Sequence, residues 1–370
     1  MIISTSKEEL IKPLQMVVGV VERRQSLPIL GNVLISASGE RVELTTTDLE
    51  VELFSGFGAQ VDEEGETTLP ARKMLDICKA LPDKAPLRIE VKDGKGVISS
   101  GKSRFRLATM NPGEFPAAED KENRHSLTVG REDLRRLIDK TQFAMAQQDV
   151  RFYLNGLLLE SKAGRLKAVA TDGHRLAIAE MEINGGESDG MEVQAIVPRK
   201  AVLELSKVIA EGDEQIEVEL GRQTLRVDLG DRRITSKLVD GKYPDYEGVI
   251  PRKERCDKKA IIERDVLKDS LARAAILSNE KYRAVRIGFS HDEGMRVTAH
   301  NTEQEEAVEE LDAEFEGDSI EIGFNVGYLM DAITAVDTPR VIIYLINSDS
   351  SSLIVGEAGE EKYVVMPMRL

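Results

Sequence analysis

The sequence predicts an α+β fold built from three tandem copies of one domain. A chain of 370 residues is too long for one small core and suits two or three domains. Three segments open with the same kind of amphipathic helix, SKEELIKPLQMVVGVV, GREDLRRLIDKTQFAM and ERDVLKDSLARAAIL, and Leu10, Leu134 and Leu267 hold one place in them. Each opening helix is followed by a strand pair, a polar corner, a second helix and closing strands. The plan recurs about every 125 residues, a period of whole domains rather than of solenoid units.

The elements follow in order. In the second opening helix Leu134, Leu137, Ile138 and Thr141 form one stripe at helical spacing, with Arg136 and Lys140 opposite. The strand pairs alternate apolar and polar residues around glycine-containing turns, which is a hairpin pattern. They lead to corners at Thr47-Asp48, Thr171-Asp172 and His300-Asn301; Leu49 and Thr302 stand where the middle copy has Gly173, and Glu50 and Glu303 where it has His174.

The second helices are PARKMLDICKALPD, PRKAVLELSKVIAEGD and NVGYLMDAITAVDTP. Proline at or before the first turn suits a helix start. Aligning Pro70, Pro198 and Asn325 brings Asp76, Glu204 and Asp331 into register. Met74, Ile77, Cys78 and Leu81 form the expected buried stripe, with Arg72, Asp76 and Lys79 on the other face; Lys200, Glu204 and Lys207 repeat that trio, and Gly327, Asp331 and Thr334 break it. Linkers rich in Pro, Gly and charge fall at 111–125 and 242–258. The expected domains are therefore 1–122, 123–250 and 251–370.

The formal net charge is −16, the opposite of what bulk electrostatic binding to nucleic acid requires. Such a partner would need positive charge confined to one surface, and the helix faces offer it within an acidic shell that includes 62–66, 303–306 and 357–361. No apolar run approaches the roughly 20 residues of a membrane span. The start MIISTSKEEL lacks a signal-peptide layout, which places the chain in the cytoplasm. Cys78 and Cys256 form neither a disulfide framework nor a metal knuckle, and Cys78 reads as a buried structural thiol.

Three motifs suggest catalysis. Gly96 to Ser103 spells GxxxxGKS, but SRFRLATM follows it like a strand, whereas a phosphate loop must open a helix. Gly186 to Gly190 spells GxSxG, yet another strand-like run follows where a nucleophile elbow needs a helix. Asp172 and His174 could be an orienter and a base. No activated Ser or Cys accompanies them, and the other two corners carry Glu50 and Glu303 at the place of His174. A turn and a binding surface remain as readings of this corner, the binding surface being preferred.

The blocks LPILGN (Leu27–Asn32), TDLE (Thr47–Glu50), QDVRFYLNG (Gln148–Gly156), TDGHRLA (Thr171–Ala177), SKLVDGKYPDY (Ser236–Tyr246), AILSNEKYR (Ala275–Arg283), GFNV (Gly323–Val326) and YVVMPMRL (Tyr363–Leu370) span essentially the whole chain. In them the sequence closely resembles the bacterial β sliding clamp family, the processivity subunits of DNA polymerase III. The resemblance implies DNA-clamp domains with helices inside and antiparallel sheets outside, in a six-domain ring formed by a head-to-tail homodimer. Ring size agrees: two helices of ~10 Å width per domain span ~20 Å, so about six domains enclose a hydrated duplex.

The resemblance further implies a non-catalytic protein with no metal or cofactor. Arg24, Arg72, Gln148, Phe152 and Tyr153 would face duplex DNA, through contacts that position a duplex without reading its sequence. A pocket for short linear motifs would comprise Leu154, Thr171, Gly173, His174, Arg175, Leu176, Pro244, Val249, Val365, Met366, Pro367 and Met368, with adaptable methionines serving several partners. The dimer interface would set Ile276, Leu277, Glu303, Glu305 and Glu306 against Arg104, Phe105 and Arg106 of the other chain. Implied partners are the replicative polymerase catalytic subunit, an ATP-driven clamp loader, translesion polymerases and mismatch-repair proteins. Gly248 stands where relatives commonly carry Arg, and Ser350 where an apolar residue is common, which bears on motif preference. The rival readings are a hydrolase using Asp172 and His174, and a three-domain scaffold that does not enclose DNA.

Overall fold

The computed structural model describes residues 1–22, 27–116, 125–183, 192–212, 214–359 and 361–369. Arg24 and the GxSxG letters at 186–190 lie outside the described residues. Each repeat contributes two helices: α1 (Lys7–Val17) and α2 (Ala71–Ala80), α3 (Arg131–Asp139) and α4 (Arg199–Val208), α5 (Arg264–Ala275) and α6 (Val326–Ala335). Their starts follow from local chemistry. Ser6 caps α1 through a reciprocal box, its hydroxyl accepting from the Glu9 amide at 3.3 Å while the Glu9 carboxylate accepts from the Ser6 amide at 3.0 Å. Pro70 and Pro198 end strands directly before α2 and α4, and the Asn325 side chain caps α6 by accepting from the Tyr328 amide. None of these helices is long and apolar enough to cross a membrane.

The chain forms two compact units that do not coincide with the three repeats. One holds most of Met1–Arg135 and Lys200–Leu238; the other holds Arg136–Ile183 and Val239–Leu370 with the strand Val193–Pro198. The reason is strand pairing across repeats. In the first unit an eight-stranded sheet joins Arg232–Lys237 of the middle repeat to Val51–Gly58 of the first, Ser236 lying opposite Val51. In the second unit a nine-stranded sheet joins Arg175–Glu182 of the middle repeat to Lys362–Val365 of the third, Arg175 lying opposite Val365. A five-stranded sheet in the first unit ends at the edge strand Ser103–Ala108, and a four-stranded sheet in the second ends at Glu306–Leu311. Helices α1 and α2 pack together, as do α5 and α6.

Several expectations change at the helices. Ile77 is only half-buried and Leu75 takes its place in the core beside Met74 and Cys78. Burial pushes the Cys78 thiol up to about 11, which makes it unreactive. Lys140, expected on the outer face of α3, is buried, its ammonium held by Asp337 and the carbonyl of Ala335. Glu204 does not share a solvated line with Lys200 and Lys207: it is buried against Gly19 and accepts from Lys207 Nζ at 2.8 Å. Lys200 is taken up by Glu22 at 2.8 Å and by Asp48. The phosphate-loop letters form a hairpin, with Ser100 opposite Ser103, Gly101 at φ +54 in the turn and no helix after it.

Candidate functional site

The site grows from the corner after strand Arg165–Thr171. A short polar side chain at the end of a strand can satisfy the backbone amides of the residues that follow. Asp172 Oδ1 accepts from the amides of His174 at 2.9 Å and Arg175 at 3.0 Å. Thr171 Oγ1 accepts from the Gly173 amide at 3.1 Å and donates to the Arg175 carbonyl at 2.6 Å. Gly173 sits at φ +88, the left-handed region that favours glycine. The corner thus sends the chain directly into Arg175–Glu182.

Arg175 then ties this corner to the third repeat. Its Nε donates to Asp172 Oδ2 at 3.0 Å, Nη2 to the Phe143 carbonyl at 2.6 Å, and Nη1 to Asp331 on α6. The guanidinium lies over the Tyr328 ring, 4.6 Å from its centroid, and near Phe143 at 5.5 Å. Both carboxylate oxygens of Asp172 therefore serve the corner and Arg175. The exposed His174 imidazole instead stacks on Tyr328 at 6.3 Å with 20° between the planes, and its carbonyl accepts from the Met366 amide at 2.9 Å. This is how a turn is locked, not how a base is oriented.

A second segment, 147–155, closes the side. Asn155 clamps it by accepting from the Asp149 amide at 2.9 Å and donating to the Asp149 carbonyl at 2.8 Å. Arg151 makes a fork to Asp149, Nε to Oδ1 at 3.0 Å and Nη2 to Oδ2 at 2.8 Å, and these bonds hold the Asp149 carboxyl at about 2. Val150 and Phe152 project outward, 95% and 56% exposed.

Between these elements lies a cavity of about 180 Å³, lined by Arg151, Tyr153, Leu154, Thr171, Gly173, Arg175, Leu176, Pro244, Asp245, Tyr246, Val249, Val364 and Met366. Its floor continues into a core cluster containing Leu176, Tyr243, Tyr246, Leu353 and Val364. The two arginines on its wall are each paired with aspartate, and apart from Asp245 the rest of the lining is uncharged and largely apolar. Three structural features differ from the expected lining. Val365 is buried on the opposite face of its strand, because alternation puts Val364 and Met366 on the cavity side. His174, Pro367 and Met368 are not among the lining residues; Met368 donates to the Gly323 carbonyl at 2.8 Å. Tyr153, expected to face a duplex, is half-buried and forms part of the cavity wall. Sequence reasoning missed Arg151, Asp245, Tyr246 and Val364; only the period-2 alternation of Tyr363 to Met366 could have pointed to Val364.

The other candidate residues lie apart from this cavity. Arg72 is exposed on α2 and donates to the Val21 carbonyl; Gln148 is exposed at φ +57. Arg104 and Arg106 are exposed on the edge strand Ser103–Ala108, with Phe105 half-buried between them. Ile276 is 77% exposed just after α5, Leu277 is half-buried, and Glu303, Glu305 and Glu306 are exposed at and before the edge strand Glu306–Leu311.

Fold and site together define a protein of three repeated α+β clamp domains carrying an apolar cavity at the second of its corners. Family models for the DNA polymerase III beta subunit match the N-terminal domain at residues 1–119, the central domain at 128–245 and the C-terminal domain at 247–369. The chain belongs to the DNA polymerase III beta subunit family. It is 47% identical over 366 residues to the beta sliding clamp of Pseudomonas aeruginosa, covering 98% of each chain. To that of Escherichia coli it is 44% identical over 369 residues, covering 99% of each. A P. aeruginosa sliding clamp structure bound to griselimycin superposes with a TM-score of 0.95 at 46% identity, covering 100% of both chains. That of the Caulobacter crescentus clamp gives 0.91 at 35%, again covering 100% of both. Sliding-clamp function follows from membership, and nothing in the fold or the relatives supports the hydrolase or scaffold readings.

Proposed function

We propose that two chains close head-to-tail into a ring around duplex DNA, and that the cavity at the second corner seats short apolar motifs of the proteins the ring tethers. The closure rests on one observation: among the described residues the first and third repeats each present an unpaired sheet edge, and the two carry opposite charge. Arg104 and Arg106 project from Ser103–Ala108, while Glu306 and Glu310 project from Glu306–Leu311 beside Val308, which is 49% exposed. An uncovered edge is a template for another strand, and complementary charge fixes which edges meet. Ile276 then acquires cover from the other chain, and the acidic residues from Glu303 onward meet the arginines.

Inside the ring, contact with phosphate falls mainly to the first repeat. Arg72 and Lys79 are exposed on α2, whereas Lys200 and Lys207 in the second repeat are committed to carboxylates and the third repeat has Gly327 and Thr334 at those places. Weak, non-reading contact lets a ring slide, since linkage is topological. The cavity suits the polymerase catalytic subunit, and by the same chemistry a clamp loader, translesion polymerases and mismatch-repair proteins. We place the protein in the cytoplasm, with the bacterial chromosome.

Loading onto circular duplex with a bacterial clamp loader and ATP tests the ring. The expected result is retention on the circle and release when the circle is cut; retention on cut DNA overturns it. Ile276→Asp tests the interface: losing the buried isoleucine costs ~1.5–3 kcal/mol at each of the two interfaces of the ring, so dimerisation weakens at least about 100-fold by sedimentation.

A further inference from the structure

The three second helices carry aligned acids whose environments differ. Asp76 is exposed on α2, Glu204 is buried beside Lys207, and Asp331 reaches out of α6 to Arg175 in the wall of the cavity. We infer that Asp331 is a positioning residue for the cavity: it fixes the plane of the Arg175 guanidinium and so sets the shape of the wall against which a motif packs. The inference rests on the cavity being the motif site.

The geometry shows why Asp172 alone does not suffice. Asp172 is three residues from Arg175 and holds only Nε. A guanidinium held by one hydrogen bond at Nε can still pivot as a rigid plane about that contact, and its forked end faces α6. Asp331 at Nη1 and the Phe143 carbonyl at Nη2 fix that end, and the Tyr328 face fixes the plane. The arginine side chain is 13% exposed and Asp331 48%, so Asp331 can be changed without opening the core, while its partner is poorly placed to find water instead. Without Asp331 the guanidinium keeps Asp172, the Phe143 carbonyl and the Tyr328 face but loses its second carboxylate, which leaves Nη1 without that acceptor in a wall that includes Leu154, Leu176, Val364 and Met366. The same contact joins motif binding to α6, so occupancy of the cavity should steady that helix and the helix should in turn steady the cavity.

The test uses the full-length protein and griselimycin, the ligand of the P. aeruginosa clamp structure, with affinity read by calorimetry and folding by thermal unfolding. Asp331→Asn is expected to weaken binding about tenfold with little change in unfolding temperature, and Asp331→Glu to restore most of it. In an Arg175→Gln background Asp331→Asn should change affinity less than twofold, because its only route to the ligand is gone. Wild-type affinity in Asp331→Asn, or losses that add in the double variant, overturn the inference. A merely structural role would lower the unfolding temperature without rescue of affinity by glutamate. If wild type fails to bind, or Met366→Lys binds as tightly as wild type, the cavity reading itself falls. If Met366→Lys loses binding while Asp331→Asn keeps it, only this inference falls.

Discussion

The first and second corners are built alike, and the cavity described above lies at the second. In the first, Asp48 Oδ1 accepts from the amides of Glu50 at 2.9 Å and Val51 at 2.7 Å, as Asp172 does for His174 and Arg175. Thr47 repeats Thr171, accepting from the Leu49 amide and donating to the Val51 carbonyl, both at 3.0 Å. Beyond each corner the outgoing strand pairs with the last strand of the next repeat, and the amides of Lys237 and Met366 donate to the carbonyls of Glu50 and His174 at 2.8 and 2.9 Å. What differs is the set of side chains on this shared frame. Glu52 stands for Leu176, Thr235 for Val364, Lys237 for Met366 and Leu49 for Gly173. The frame makes a corner; apolar residues at three places and a glycine at the fourth make a binding site.

Exchanging those places breaks the comparison most directly. Met366→Lys, which copies Lys237, removes an apolar contact and adds a charge beside an apolar wall. Together these are worth about 2 kcal/mol, so griselimycin affinity should fall at least about 30-fold with the unfolding temperature unchanged. Undiminished binding would mean that the cavity is not the site. Gly173→Leu, which copies Leu49, should act more weakly. Leu49 holds φ +77 in the native chain, so the backbone strain at φ +88 is tolerable, about 1 kcal/mol. A β-carbon there would lie 3.0 Å from both terminal nitrogens of Arg151; that arginine must shift, and affinity should fall roughly fivefold. Binding equal to wild type would show that Arg151 does not shape the cavity.

Acid should have the smallest effect. Asp149 is depressed to about 2 by Arg151, so its contribution is fully present above the ordinary carboxylate value and is lost only as the pH falls through about 2. Affinity measured from pH 7 to 4.5 should therefore be flat as far as this clamp is concerned. A titration of the Asp149 carboxyl between pH 4 and 5 in NMR spectra would show that the fork to Arg151 does not persist in solution.

The third corner shows how far sequence alignment reaches. Matching Thr302 to Gly173 places the left-handed residue one step after the acid or amide, yet in the third corner it is Gln304, at φ +64. Asn301 accepts from the amides of Glu303 at 3.1 Å and Glu305 at 2.8 Å, so this corner is one residue longer. The letters show that a side chain will organise a turn, but not which amides it reaches.

The sequence by itself determined the three repeats, the six helices, the hairpins and the turn chemistry of the corners. These depend on periodicity and on hydrogen bonds between residues a few places apart, such as the Ser6 and Glu9 box or Asp172 with its own turn. It also marked Leu154, Leu176 and Met366 as candidates through resemblance. Tertiary structure alone decided the rest, because the deciding partners are far apart in the chain. Lys140 looks solvated until Asp337 meets it, Glu204 until Gly19 does, and the strand carrying Val364 faces the cavity only because it pairs with Arg175–Glu182. Arg175 and Asp331 are 156 residues apart. A charge on a helix face can be read from one repeat; whether it is free, paired or buried depends on what the neighbouring repeat packs against it.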